Sequence, residues 1–325
     1  MTTQPLKLSS KAEYLSFVDQ FDTFMFDCDG VLWHDESLVP GAVQVLEHLR
    51  ALKKKIIFVT NNATKSRKNY KKKFDRLGVQ AEVDEVFGSA YASAVYISSV
   101  LQLPKDEKVY VIGQAGLEEE LDEEGIQHIG GTVRGHPLSP PTILLNFKAR
   151  IYFQDPADKT FDAFDITKFE RDPKVAVVLA GLDTAINYTK LAKAMQYLTQ
   201  NPGCRFIATN EDSTYPVGGG QFLPGAGSIS APLRYITKTD PVSIGKPNQA
   251  MMDTIKAKHH FDPKKTVMIG DRLDTDIIFG NKGGCSTLLV LTGVAKEADL
   301  RPEANPPVLP DFIVNSLGDL AVLKN

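Results

Sequence analysis

Cysteine is scarce in this chain. The three present among 325 residues, Cys28, Cys204 and Cys285, are odd in number and far apart. With no CxxC pair they make no disulfide framework, which suits a reducing compartment. Long apolar runs are missing too: the longest, 175–182, fits a buried strand and falls short of the roughly 20 residues of a spanning helix. Residues 1–11 show no hydrophobic segment followed by a small-residue cleavage site, so no secretory signal is expected. The expected setting is cytoplasmic, and a nuclear one would leave the same composition. Nor is there an excess of either charge. Lys+Arg is 37 against Asp+Glu 40, without the basic surplus of a typical nucleic-acid binder. No GxSxG, P-loop or HExxH pattern occurs, and Gly225-x-Gly227 lacks the third glycine and the acidic residue of a dinucleotide site. There is no internal repeat and no low-complexity tract. What is present is ordinary for a folded protein: 42% hydrophobic and 24% charged residues, which excludes disorder or a collagen-like repeat for the whole chain. The length favours two domains.

Short β-rich runs alternate with amphipathic stretches. Residues 23–27 and 56–60 read as buried strands. Residues 41–54 read as a helix with Val45, Leu46, Leu49 and Leu52 on one face, and 65–77 as a basic helix stopped by Gly78. This βαβα order implies a parallel sheet with helices on both faces. The pattern returns with a helix over 247–260, a strand over 266–270, a helix over 274–282 ending at Gly283-Gly284, and strands over 286–291 and 311–314. Between them lie strands at 108–113, 142–147, 174–182 and 205–209 and helices at 116–124 and 188–200. Residues 146–172 read as a polar, loop-rich insertion. Glycines 218–220 and Pro224-Gly225-Ala226-Gly227 punctuate the return. The expected organisation is a core from 1–99 and 223–325, interrupted by a second α/β unit over 100–222.

Four segments could carry chemistry. In Phe26-Asp27-Cys28-Asp29-Gly30 a buried strand runs into two carboxylates at i and i+2, which share one side of an extended chain. They sit where open α/β sheets bind ligands, and two close carboxylates need a cation or a shared proton. A capped turn is the equally weighted plain alternative. Thr60-Asn61-Asn62 closes the next strand with groups suited to an anion, although helix capping by Asn62 or Thr64 explains it more simply. Lys246, between Gly245 and Pro247, is a cation held on a fixed stretch of chain, or merely a surface lysine. Gly270-Asp271-Arg272-Leu273-Asp274-Thr275-Asp276 sets carboxylates at a strand end, as hard oxygen ligands for Mg²⁺. Asp271 is the better ligand there. Asp276 fits either orienting the site or ligating through water. Asp274 fits an acidic helix N-terminus.

No segment is specific alone, but their order is. With Asp27-Cys28-Asp29-Gly30-Val31-Leu32-Trp33, Thr60-Asn61-Asn62, Gly225-Ala226-Gly227-Ser228, Gly245-Lys246-Pro247 and Gly270-Asp271-Arg272-Leu273 in sequence, the chain resembles the haloacid dehalogenase superfamily. Within it, the chain is similar to the phosphoglycolate phosphatase and 4-nitrophenylphosphatase branch. The resemblance covers nearly everything after about residue 20 and is weakest in the inserted unit. It implies a Rossmann-like parallel-sheet core with an inserted α/β cap. Asp27 is then the nucleophile and Asp29 the general acid and base. Mg²⁺ is held by Asp27, Asp271 and the Asp29 backbone carbonyl. Thr60, Asn61, Asn62 and Lys246 face the phosphate, and a cap segment over 210–217 contacts the substrate. In that segment Tyr215 stands where some relatives carry His, and it does not titrate near neutrality.

The expected activity is Mg²⁺-dependent hydrolysis of a small phosphate ester, 2-phosphoglycolate first. Pyridoxal phosphate or a phosphoprotein is the alternative substrate, and a non-catalytic phosphoryl-binding protein the alternative of another class. No nucleic-acid or membrane partner is expected. A homodimer through the cap is what relatives suggest. The cationic run Lys65, Arg67, Lys68, Lys71, Lys72 and Lys73 reads as a solvated helix face balanced by Glu118-Glu119-Glu120. Cys28 reads as a small buried residue.

Overall fold

The computed structural model describes residues 4–132, 165–217 and 221–324. Among these, seven parallel strands form one sheet in the order Leu6–Lys7, Phe312–Val314, Ser286–Val290, Thr266–Gly270, Thr23–Phe26, Lys55–Thr60, Val86–Gly88. The central strands read as unbroken apolar runs because helices cover both faces: every residue of Thr23–Phe26 and Thr266–Gly270 is buried. The chain passes from Thr23–Phe26 to Lys55–Thr60 on one side and returns as Thr266–Gly270 on the other. That is a topological switch point, and it places three strand ends side by side at one edge. The register is tight, with Phe26 opposite both Ile269 and Phe58.

A second sheet of five parallel strands runs Val242–Ser243, Arg205–Ala208, Val175–Ala180, Lys108–Ile112, Gln127–Gly130. It reaches past the boundary expected at 222. Val242–Ser243 supplies its edge, and the Gly227–Thr237 helix buries Ile229 and Leu233 beside Tyr110 and Tyr197 of this unit. The glycine-rich run before that helix marks a turn inside the unit. The Tyr188–Gln200 helix starts at its expected residue because the Asn187 side chain accepts the Lys190 backbone N–H.

The two sheets share an apolar layer. Met25, Ile57, Val59 and Met268 from the first and Val109, Val111, Val177, Leu179 and Ile207 from the second belong to one buried cluster. The Ser89–Val95 and Gln249–Lys258 helices join it. Leu52 departs from its expected face: the helix spans Ala42–Ala51, and Leu52 lies beyond it, 46% exposed. The expected 142–147 strand, glycines 218–220 and most of the 146–172 stretch fall outside the described residues. Its described end ties down through Asp172, which accepts from Lys108 Nζ at 2.7 Å. All three cysteines are free, and Cys28 is buried.

Candidate active site

Asp27 follows the last residue of the central strand, and its N–H still pairs with the Ile269 carbonyl at 2.8 Å. The carboxylate is therefore fixed by the sheet. Asp271 leaves the neighbouring strand at the same edge. Its Oδ2 accepts the Val294 N–H at 2.7 Å. Two glycines make room for it: a Cβ on Gly30 would lie 2.7 Å from Asp271 Oδ2, and one on Gly293 only 1.8 Å. Gly30 also has φ +86°, a left-handed conformation that suits glycine.

Lys246 is 2% exposed, and its Nζ donates to Asp27 Oδ1 at 2.8 Å, to the Val59 carbonyl at 2.8 Å and to Asp276 Oδ1 at 2.7 Å. Burial alone would lower the lysine's pKa, but the charges of Asp27 and Asp276 outweigh it and hold the ammonium above its usual range. All three N–H groups are used within the protein, so an incoming anion meets the charge of Lys246 and no spare donor. Asp276 is fully buried. Its second oxygen accepts the Asp271 and Arg272 N–H groups, each at 3.1 Å. These bonds brace the turn that carries Asp271. Asp274 is exposed and paired with Arg272.

Oxygens of Asp27, Asp271 and Asp276 lie within 4.8 Å of one another. Asp276 has both of its oxygens engaged, whereas Asp271 Oδ1 is buried with no hydrogen-bond partner among the described residues. A buried, unpartnered carboxylate oxygen is costly, and the groups respond. Burial raises the Asp27 pKa, with Lys246 opposing and Asp276 and Asp271 reinforcing. Burial first and Asp276 second push Asp271 to about 7. A hard divalent cation against Asp271 Oδ1 and the free side of Asp27 would satisfy the orphan and reverse both shifts.

These groups open into a cleft of about 350 Å³ that includes Asp29, Thr60, Asn62, Lys73, Asp212 and Tyr215 among its walls. The expected phosphate-side residues divide their tasks. Thr60 Oγ1 accepts the Asn62 N–H at 3.1 Å. The Asn61 amide donates to Asp212 Oδ1 at 3.1 Å and to the Lys246 carbonyl at 2.9 Å, so it braces the loop. Asn62 Oδ1 accepts the Thr64 N–H at 2.9 Å in a local turn. The helix itself spans Arg67–Arg76 and is capped by Ser66. Tyr215 reaches the cleft from an antiparallel hairpin, Thr214–Val217 with Gln221–Pro224. Asp29 also lines the cleft, but its side chain stands apart from the buried carboxylates and accepts the Trp33 Nε1–H at 2.8 Å.

Lys73 corrects the expected solvated helix face. It is 6% exposed and shares the inner side of its helix with Tyr70 and Phe74. Arg67 and Lys68 do meet acidic partners, in Glu120 and Glu123. Sequence reasoning gave Asp212 and Arg272 no role of their own, although both lie in segments it singled out, and it missed the Gly293-Val294 loop. Asp212 is pushed up by burial, with Arg272 opposing. The signal for Gly293 was available, since it follows the Ser286–Val290 strand at the same sheet edge as Asp271.

The family model described as haloacid dehalogenase-like hydrolase matches residues 24–127, and a related HAD-hydrolase-like model matches 243–320. The chain is 46% identical to a 4-nitrophenylphosphatase of Schizosaccharomyces pombe over 97% of its own length and 98% of the relative's. It is 40% identical to phosphoglycolate phosphatase 2 of Arabidopsis thaliana, with 98% of each chain covered. The solved p-nitrophenyl phosphatase from Archaeoglobus fulgidus superposes with a TM-score of 0.73 at 28% identity, covering 93% of this chain and 98% of that one. With strand-end carboxylates, a buried lysine and two matched segments of one family, the chain belongs to the haloacid dehalogenase-like hydrolases and is a phosphatase of that family.

Proposed function

We propose that the protein is a Mg²⁺-dependent phosphomonoesterase of small metabolites, 2-phosphoglycolate first, working through an aspartyl-phosphate on Asp27. The observation that carries this reading is the orphaned Asp271 Oδ1 beside an Asp27 carboxylate held by Lys246. Asp27 is fixed by backbone pairing and by one charged hydrogen bond, which holds its carboxylate at the cleft as a nucleophile. Asp27 and Asp271 would hold Mg²⁺, which would supply charge neutralisation for the phosphoryl oxygens. Lys246 balances Asp27 as negative charge arrives. Asp29, at the cleft wall and partly exposed, gives a proton to the leaving alkoxide and later takes one from the attacking water. Tyr215 approaches the leaving-group side from its hairpin and bears on substrate choice.

Asp27→Asn keeps the shape and removes the nucleophile. It is expected to abolish turnover of 4-nitrophenyl phosphate while the thermal melt stays cooperative. A folded Asp27→Asn with full activity would refute the assignment. A panel of 2-phosphoglycolate, 2-phospholactate, 4-phosphoerythronate and pyridoxal phosphate, compared by kcat/KM in Mg²⁺, tests the substrate. Highest kcat/KM on pyridoxal phosphate would replace 2-phosphoglycolate in the proposal.

A further inference from the structure

Asp29 is 35% exposed at its side chain, and a carboxylate so placed would ordinarily rotate and present either oxygen. Here one oxygen is held. Trp33 Nε1–H donates to Oδ1 at 2.8 Å, and Lys73 Nζ lies 3.9 Å from the same atom. The holders are themselves immobile. Trp33 is fully buried, edge-on to Phe74 at 5.0 Å. The Lys73 ammonium sits 4.2 Å over the Trp33 ring. The backbone closes the same loop, since Gly30 N–H donates to the Trp33 carbonyl at 2.8 Å.

A buried lysine calls for a reason. A methionine of similar length could fill the space against Trp33 and Phe74 without desolvating a charge. What the ammonium adds is its field at Asp29 Oδ1. Only the indole N–H is within hydrogen-bond reach of that oxygen, and the ammonium acts on it by charge from 3.9 Å. With Oδ1 so occupied, Oδ2 is the oxygen left to meet a reacting group.

We propose that Trp33 and Lys73 are positioning residues that clamp one oxygen of Asp29, leaving the other as the single atom that exchanges a proton with the leaving group and with water. The inference rests on reading Asp29 as the general acid and base. The clamp removes one rotor from the reacting geometry, and orientation of this kind has large effects on rate.

Leaving-group dependence tests it. 4-Nitrophenolate departs without a proton, whereas the alkoxides of glycerol 3-phosphate and 2-phosphoglycolate require one, and kcat/KM reports steps up to the first irreversible one. Trp33→Phe keeps an aromatic side chain but removes the N–H with the pyrrole ring. Lys73→Met keeps the stem and removes the charge, and Lys73→Arg restores it. In Mg²⁺, the ratio of kcat/KM for glycerol 3-phosphate to that for 4-nitrophenyl phosphate is expected to fall on the order of ten-fold in the first two variants. It should recover in Lys73→Arg. A loss equal for both esters is what a purely structural role would give, and it overturns the clamp. A Lys73→Met loss confined to 2-phosphoglycolate also overturns it, because Lys73 would then anchor the substrate carboxylate. Asp29→Asn serves as reference. If it shows no leaving-group split, the acid and base reading fails. If it splits and the Trp33 and Lys73 variants do not, only the clamp fails.

Discussion

Replacing Asp276 by asparagine changes one oxygen to an NH₂ group inside a fully buried network. Three donors converge on this carboxylate: the Asp271 and Arg272 N–H groups on Oδ2 and Lys246 Nζ on Oδ1. Asparagine has one acceptor. If its oxygen serves the two backbone N–H groups, its NH₂ confronts the ammonium and the buried pair is broken, at about 3–5 kcal/mol. If the amide turns over, two buried N–H donors are orphaned at about 1–3 kcal/mol each. The metal-free protein recovers part of either loss, because the Asp276 charge is one of the causes that raise Asp27 and Asp271. With Mg²⁺ bound that repulsion is already compensated and nothing is recovered. The expected destabilisation is therefore about 2–3 kcal/mol in chelator and nearer 3–5 kcal/mol in Mg²⁺. Urea unfolding followed by circular dichroism in the two conditions reads both values. Activity on 4-nitrophenyl phosphate should fall about a hundred-fold, since Lys246 and Asp271 lose a common brace. A variant as stable as its parent in both conditions, or one destabilised equally in both, would refute the reasoning.

Other outcomes follow from the same geometry. Asp271 has a folded pKa of about 7, above its unfolded value of 3.8. Its contribution to metal-free stability is therefore full below the unfolded value and is lost as pH rises through about 7. Mg²⁺, which needs the ionised form, should raise Tm more at about pH 8 than at about pH 6, with proton release seen by calorimetry. An equal Tm increase at the two pH values would contradict it. Gly293→Ala puts a methyl 1.8 Å from Asp271 Oδ2. The Mg²⁺ concentration for half-maximal activity should rise about 10–100-fold, and an unchanged metal titration would show that Asp271 is not a ligand. Arg67→Ala leaves Glu120, 2% exposed at its side chain, without the guanidinium that pairs with it at 3.0 Å. It should cost about 3 kcal/mol of stability by urea unfolding, and Glu120→Gln in the same background should return part of it.

The parts of the site that lie at strand ends were legible because an apolar run followed by carboxylates has one sensible place in an open α/β sheet. Asp27 and Asp271 stand at such positions. The division of labour among neighbours was not legible, because it depends on partners far along the chain. Asn61 reads as an anion ligand until Asp212, 151 residues later, takes its amide. Lys73 sits in a run of cations that are otherwise half-buried or exposed, and nothing local distinguishes it. Its burial follows from Trp33 packing on Phe74 across the hairpin Trp33–His34 with Ser37–Leu38. The glycine-rich turn near 225 reads as a boundary, because a turn inside a unit and a turn between units have the same composition. Leu52 fits a helical period one residue past the end of its helix.

The apolar layer that the two sheets share through the Ser89–Val95 and Gln249–Lys258 helices has a consequence for how the two units hold together. Pulling the units apart along it would bare valines and isoleucines of both, at about 1.5–3 kcal/mol for each side chain uncovered. The hairpin of Thr214–Val217 with Gln221–Pro224 stands outside that layer, with Phe222 and Leu223 50% and 45% exposed.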